Sequence, residues 1–414
     1  MRNTRSITIA LGIGIAALPL AAASVQAGKP EEVGLSTERL QRIHETMQRH
    51  IAAGDISGGV TLVARKGRIA HFEAHGVMDL DAKKAMQKDA LFRIASMSKP
   101  ITGVAIMMLM EEGKIHLTDP VSKFIPEFKN MKVAVAREGT AAGRGGAAPE
   151  FYTVPANREI TIRDLLSHVS GLVSGPMSTA EANKLGRKPT DTLADYIPRL
   201  GSTPLEFQPG SRWSYSPGAG FDTLGRIVEI VSGQPFDQFL RQRIFGPLEM
   251  ADTTFYPVDK QLLRVAVRYQ KTANGLVKQE GGPPSNVYFS GAGGLSSTAE
   301  DYAQFGQMLL NGGTLNGKRL LSPRTVDLMS SVHAPDTLPG RPAGRSFGLS
   351  VQVVNNAVAS NYRVSDGSYG WDGAFGTHFW VDPKEKIVGI LMVQTSNQEL
   401  MRDFENAIMQ AVVE

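Results

Sequence analysis

Hydrophobic and polar positions change rhythm several times along the chain, and each change predicts an element. After Ser36, which suits an N-cap, "TERLQRIHETMQRHIAA" places Leu40, Ile43 and Met47 on one face, so 36–53 reads as an amphipathic helix. "GGVTLVARKGRIAHFEAHG" follows as two β-rich runs joined at Lys66-Gly67, a hairpin signal. Near the other end, "RSFGLSVQVV", "THFWVD" and "KIVGILMVQ" read as three more strands, with Asp382-Pro383 at the last turn. "ELMRDFENAIMQAVVE" closes the chain as a helix. Five strands drawn from both ends predict one antiparallel sheet completed by the two termini.

The middle alternates helix and loop. Helices are expected at Ile160 to Ser167, Phe221 to Ser232 and Thr298 to Leu310, the last with Thr298 as N-cap and Asp301 at N3. The Gly/Ala-rich "EGTAAGRGGAAPE", Glu138 to Glu150, reads as a mobile surface loop. With no repeat and no long linker, the expected organisation is an α/β domain from 28–115 and 325–414, interrupted by a mainly helical domain over 116–324.

The first 27 residues break the pattern. Arg2 and Arg5, an apolar run from Ile7 to Leu20, and Val25-Gln26-Ala27 form the charged, apolar and cleavage regions of an export signal. Gly12, Gly14 and Pro19 make the same run a poor membrane span. The expectation is therefore a periplasmic or secreted protein with no stable membrane insertion after cleavage following Ala27. Losing that segment removes two arginines from a balance of 44 basic and 40 acidic residues, and the net charge falls from +4 to +2. Such a balance gives no reason to invoke nucleic acid. There is no cysteine, which excludes a thiolate nucleophile and Cys-ligated metal and leaves the fold to stand on its core.

The candidate chemistry begins at "IASMSKPITG", Ile94 to Gly103. Ile101 to Met110 is apolar nearly all round, which predicts a buried helix whose N-terminus lies at Ser96. Pro100 is tolerable in a first turn, and Ser96 and Lys99 lie one turn apart on the same face. A lysine desolvated at a helix N-terminus loses pKa from about 10.4 toward neutrality and can take a serine's proton. A serine three residues before a lysine also arises by chance, so this stretch needs partners elsewhere.

Two distant stretches supply them: "WSYSPGAGFDTLG" from Trp213 to Gly225, and "YGWDGAFGTHFWVDP" from Tyr369 to Pro383. With "SMSK" they resemble the three motif elements of the serine β-lactamase and penicillin-binding protein superfamily, most closely the family VIII carboxylesterases, which are similar to class C β-lactamases. "LTDPVSKFIPEF", "ITIRDLLSHVSGL" and "GGLSSTAEDYAQFGQMLLNGG" extend the resemblance over nearly all of the mature chain, in order.

The resemblance implies the β-lactamase/transpeptidase fold, a mixed α/β (α+β) architecture with a five-stranded antiparallel sheet flanked by helices and an inserted helical domain. It makes Ser96 the acyl-accepting nucleophile, Lys99 its proton partner and Tyr215 a sharer of the base role. Beside a lysine ammonium the Tyr215 phenol is expected below its usual pKa of about 10. The backbone amides of Ser96 and Ala374 are the implied oxyanion hole, and Trp371, Asp372 and Gly373 the implied substrate strand.

The chain departs from the β-lactamase pattern at two places. Tyr215-Ser216-Pro217 stands where Tyr-x-Asn is usual, and Trp371-Asp372-Gly373 stands for Lys-Thr-Gly. An apolar ring and a carboxylate there disfavour a substrate carboxylate, so a neutral small-molecule ester is the expected substrate. Asp372 reads equally as a substrate contact or as part of the strand's supporting network. His168 reads as a structural residue capping a helix C-terminus.

Among other routes to hydrolysis and nucleotide chemistry, there is no His-Glu-x-x-His and no P-loop, and the eight histidines are scattered. The expectation is an esterase working without metal or cofactor, its oligomeric state left open. The alternatives are a β-lactamase or D-alanyl peptidase, and a penicillin-binding-like sensor that does not turn over.

Overall fold

The structure is a computed structural model and describes residues 25–139, 148–279, 281 and 286–414. The expected export segment up to residue 24, and the centre of the Gly/Ala-rich loop, lie outside the described residues. No helix among the described residues is long and apolar enough to cross a membrane.

The elements that build the site are α1 (Thr37–Ala52), β1 (Gly58–Arg65), β2 (Arg68–Asp79), α2 (Ser98–Glu111), α3 (Ala219–Ser232), α4 (Ala299–Leu310), β3 (Arg345–Phe347), β4 (Gln352–Val354), β5 (Tyr369–Asp372), β6 (His378–Asp382), β7 (Ile387–Val393) and α5 (Gln398–Met409). The strands form one sheet in the order β2-β1-β7-β6-β5-β4-β3, every neighbour antiparallel. Gln26–Ala27 adds a short parallel edge against Arg68–Ile69. β7, apolar and buried along its whole length, sits between β1 and β6, so the two ends of the chain meet at the centre of the sheet.

Local chemistry explains these elements. Ser36 accepts a hydrogen bond from the Arg39 amide and starts α1. The β1–β2 turn places Lys66 at φ 49° and Gly67 at φ 79°, the paired positive φ values of a type I′ hairpin. Alternate side chains then sort to the two faces. Val63, Leu391 and Val393 pack with α1 and α5, while Val60, Leu62, Val388, Ile390 and Met392 join the larger core around α2 and α4.

Two details differ from expectation. The sheet has more strands than five: "RSFGLSVQVV" is not one strand but the hairpin β3–β4, broken where Ser350 takes φ 72°, and Tyr369–Asp372 is itself a strand. The buried helix starts at Ser98, not Ser96, because residues Ala95–Met97 form a separate 3₁₀ turn. That turn carries Ser96 at the head of α2, whose residues from Ser98 to Leu109 are all buried.

Candidate active site

The turn that presents Ser96 is strained. Ala95 sits at φ 44°, a left-handed conformation that a residue with a Cβ rarely adopts. It is held from both sides: the Ile94 amide donates to the Leu295 carbonyl, and the Thr377 hydroxyl donates to the Ile94 carbonyl at 3.3 Å. Gly373 is pressed against the same carbonyl. A Cβ there would lie 2.5 Å from Ile94 O and 2.0 Å from Thr377 Oγ1, so only glycine lets the end of β5 approach the serine turn.

Ser96 Oγ receives two groups. The Tyr215 hydroxyl donates to it at 2.5 Å, and Lys99 Nζ lies 3.2 Å away. Lys99 is wholly buried and also donates to the Pro217 and Ala292 carbonyls, each at 2.8 Å. Burial lowers its pKa to about 7, with Asp222 partly offsetting the effect. In the neutral form two N–H bonds satisfy the two carbonyls, which leaves the amine lone pair for Ser96.

Tyr215 departs from expectation in one respect. Burial raises its pKa above the ordinary value, where a neighbouring ammonium was expected to lower it. Its own burial disfavours the phenolate, and the nearby Asp372 carboxylate adds to the shift. Tyr215 is therefore a donor in the resting site.

His168 holds that tyrosine. Its carbonyl accepts from the Ser214 amide and its Nδ1 accepts from the Ser216 amide at 3.2 Å, gripping the backbone on either side of Tyr215. The ring lies 4.7 Å from the Tyr215 ring, and burial pushes its pKa well below 6.5, keeping Nδ1 an acceptor. His168 is structural, as expected: at φ 58° it ends the helix Ile162–Leu166, its amide donating to the Leu165 carbonyl, and its ring also anchors the tyrosine turn.

Ser96, Tyr215, Trp371, Asp372, Gly373 and Ala374 line one cleft of about 440 Å³, with Lys99 behind Ser96. Trp371 packs against Tyr215 at 5.5 Å and edge-on to Phe347 at 5.0 Å. Asp372 is half exposed and bonds His378 Nδ1 at 2.5 Å, across the β5–β6 pairing, while His378 Nε2 meets Glu405 at 3.0 Å. Burial alone would lower the His378 pKa, but the two carboxylates outweigh it and push it up to about 10.

Sequence reasoning missed Asp222, Ala292, His378 and Glu405. Asp222 is buried on α3 and accepts from Tyr288, Ser290 and the Ala292 amide, which fixes the loop whose Ala292 carbonyl meets Lys99. An acid inside the apolar run "GFDTLGRIV" was a readable sign of it.

Residues 43–413 match the beta-lactamase family. The chain belongs to that family. It is a serine hydrolase of the beta-lactamase fold, and its relatives span several activities. Esterase EstB of Burkholderia gladioli is 28% identical over 86% of this chain and 90% of its own length. A putative D-alanyl-D-alanine carboxypeptidase of Escherichia coli K12 is 27% identical over 88% of this chain and 84% of its own. Among solved structures, EstCE1, a hydrolase with promiscuous acyltransferase activity, superposes with a TM-score of 0.76 at 28% identity, covering 90% of this chain and 99% of its own.

Proposed function

We propose that the protein hydrolyses small neutral carboxylic esters through an acyl-enzyme on Ser96. The observation that carries the reading is the Ser96 oxygen held between a donating phenol at 2.5 Å and a desolvated lysine at 3.2 Å. Neutral Lys99 takes the Ser96 proton as Oγ attacks the ester carbonyl. The amides of Ser96 and Ala374 receive the developing oxyanion, each such donor being worth about 10²–10³ in rate. Tyr215, protonated at rest, gives its proton to the departing alkoxide and is refilled by Lys99; water then reverses the sequence and frees Ser96.

Trp371 as an aromatic wall and Pro217 in place of an amide side chain support an ester over a peptide, as do the similarities to EstB and EstCE1. Export through residues 1–27 and the two-part domain organisation belong to the same proposal. One observation favours a second reading, D-alanyl peptides or β-lactams: Arg345 and Arg402 line the same cleft and could meet a substrate carboxylate.

The test is steady-state hydrolysis of a short-chain p-nitrophenyl ester by the protein and by Ser96→Ala. Many turnovers that vanish with the serine support the esterase. A single burst points to a sensor that stalls, and no turnover moves the reading to peptide-like substrates.

A further inference from the structure

The sheet face opposite α2 carries a second cluster of chemistry-bearing side chains. His71, Glu73 and His75 alternate along β2, so all three face α1, where His44 meets them. His44 Nδ1 lies 2.6 Å from Glu73 Oε1, His75 Nδ1 lies 3.8 Å from the same oxygen, and one ligand atom from each of the three residues fits within a 4.8 Å span. None of the three lines the cleft of Ser96.

The second observation is the state of His75. Its side chain is fully buried and its Nδ1 has no hydrogen-bond partner among the described residues. Its Nε2 bonds Thr61 Oγ1 at 2.9 Å, and the same oxygen bonds His71 Nε2 at 2.8 Å. A hydroxyl has one proton to give. If Thr61 gives it to His71, it accepts from His75 Nε2–H, and His75 Nδ1 is left as a bare lone pair facing His44 and Glu73. The opposite choice buries an Nδ1–H with no acceptor in reach, since 3.8 Å is too long for a hydrogen bond. Thr61 thus fixes the orientation of the His75 imidazole.

We propose that His44, Glu73 and His75 form a binding site for a divalent cation of the zinc class, tying α1 to β2. Two imidazoles and a carboxylate are a zinc donor set. Tetrahedral ligands about 2.0–2.1 Å from the ion stand about 3.4 Å apart, so the cluster closes around it with a movement of about 1 Å, which half-buried His44 can make. The ion replaces the proton between His44 and Glu73 and fills the empty position at His75 Nδ1. Histidines that are scattered in the sequence thus meet in the fold: His71-Phe72-Glu73-Ala74-His75 has strand spacing, and its partner His44 comes from α1.

The test uses tag-free, chelator-stripped full-length protein titrated with Zn²⁺ by calorimetry, with Co²⁺ absorption as a report on imidazole ligation. The expected result is one equivalent bound, a rise in Tm on loading, and a loss of affinity of about tenfold or more in His44→Gln and in Glu73→Gln. His44→Gln alters a part-exposed helix position, so its fold is retained where His75→Gln could fail. The proposal is overturned by an absence of stoichiometric binding, or by binding that persists undiminished in both variants.

Discussion

Lowering the pH from 8 to 6 tests the lysine directly. With Lys99 at about 7, its neutral fraction falls from about 91% to about 9% over that interval, so kcat/KM should fall about tenfold. A lysine at the ordinary 10.5 would be neutral in well under about 1% of molecules throughout, and the rate would drop about a hundredfold. A site with no lysine base would show a flat profile. The assay is kcat/KM for p-nitrophenyl acetate, which does not titrate in this range, corrected for spontaneous hydrolysis. Asp222→Asn sharpens it: removing the anion that partly restores the Lys99 pKa should move the acid limb downward, by about one unit for a nearby charge. A flat or hundredfold profile, or a limb that rises in Asp222→Asn, would refute the reasoning.

Three further outcomes follow from the same geometry and a fourth from the sequence. Tyr215→Phe removes the 2.5 Å donor and should lower kcat by about 10²–10⁴ with little change in KM, read by steady-state kinetics. Gly373→Ala forces a Cβ to 2.5 Å from Ile94 O and should both lower Tm and cost about 10²–10³ in kcat, through a displaced Ala374 amide. Lys99 has its folded pKa below its unfolded one, so the unfolded chain binds more protons between about 7 and 10.5 and stability rises with pH in that window. The Tm of the wild type should therefore gain on that of Lys99→Met between pH 7 and pH 9, measured by calorimetry. Mass spectrometry of the protein exported by a bacterial host should find a chain that begins at Gly28.

How much was legible in the sequence depended on how local the cause was. Ser36 as a cap, the Lys66-Gly67 turn and the all-round apolar α2 are set by neighbours within a few residues, and each was readable. Serine, lysine and tyrosine were found from their motifs. The β3–β4 break was not, because a positive φ at a serine is imposed by packing and no residue type announces it. The direction of the Tyr215 shift failed for a similar reason, since it turns on how deeply the phenol is buried, and the fold decides that. Asp372 was undecided until the strand register put His378 opposite it.

The central position of β7 has a consequence for the order of events in the chain's life. Its partner β1 lies about 325 residues upstream, so the hairpin and α1 are made early and wait for nearly the last segment before the sheet can close. Contacts of such separation carry a large loop-closure cost and slow the search for the native state. The sheet therefore cannot close until almost the whole chain has been made. If the first 27 residues direct export, that delay is useful: the strand that would lock the molecule shut is the last to appear, and a translocation machine that needs an unfolded polypeptide receives one.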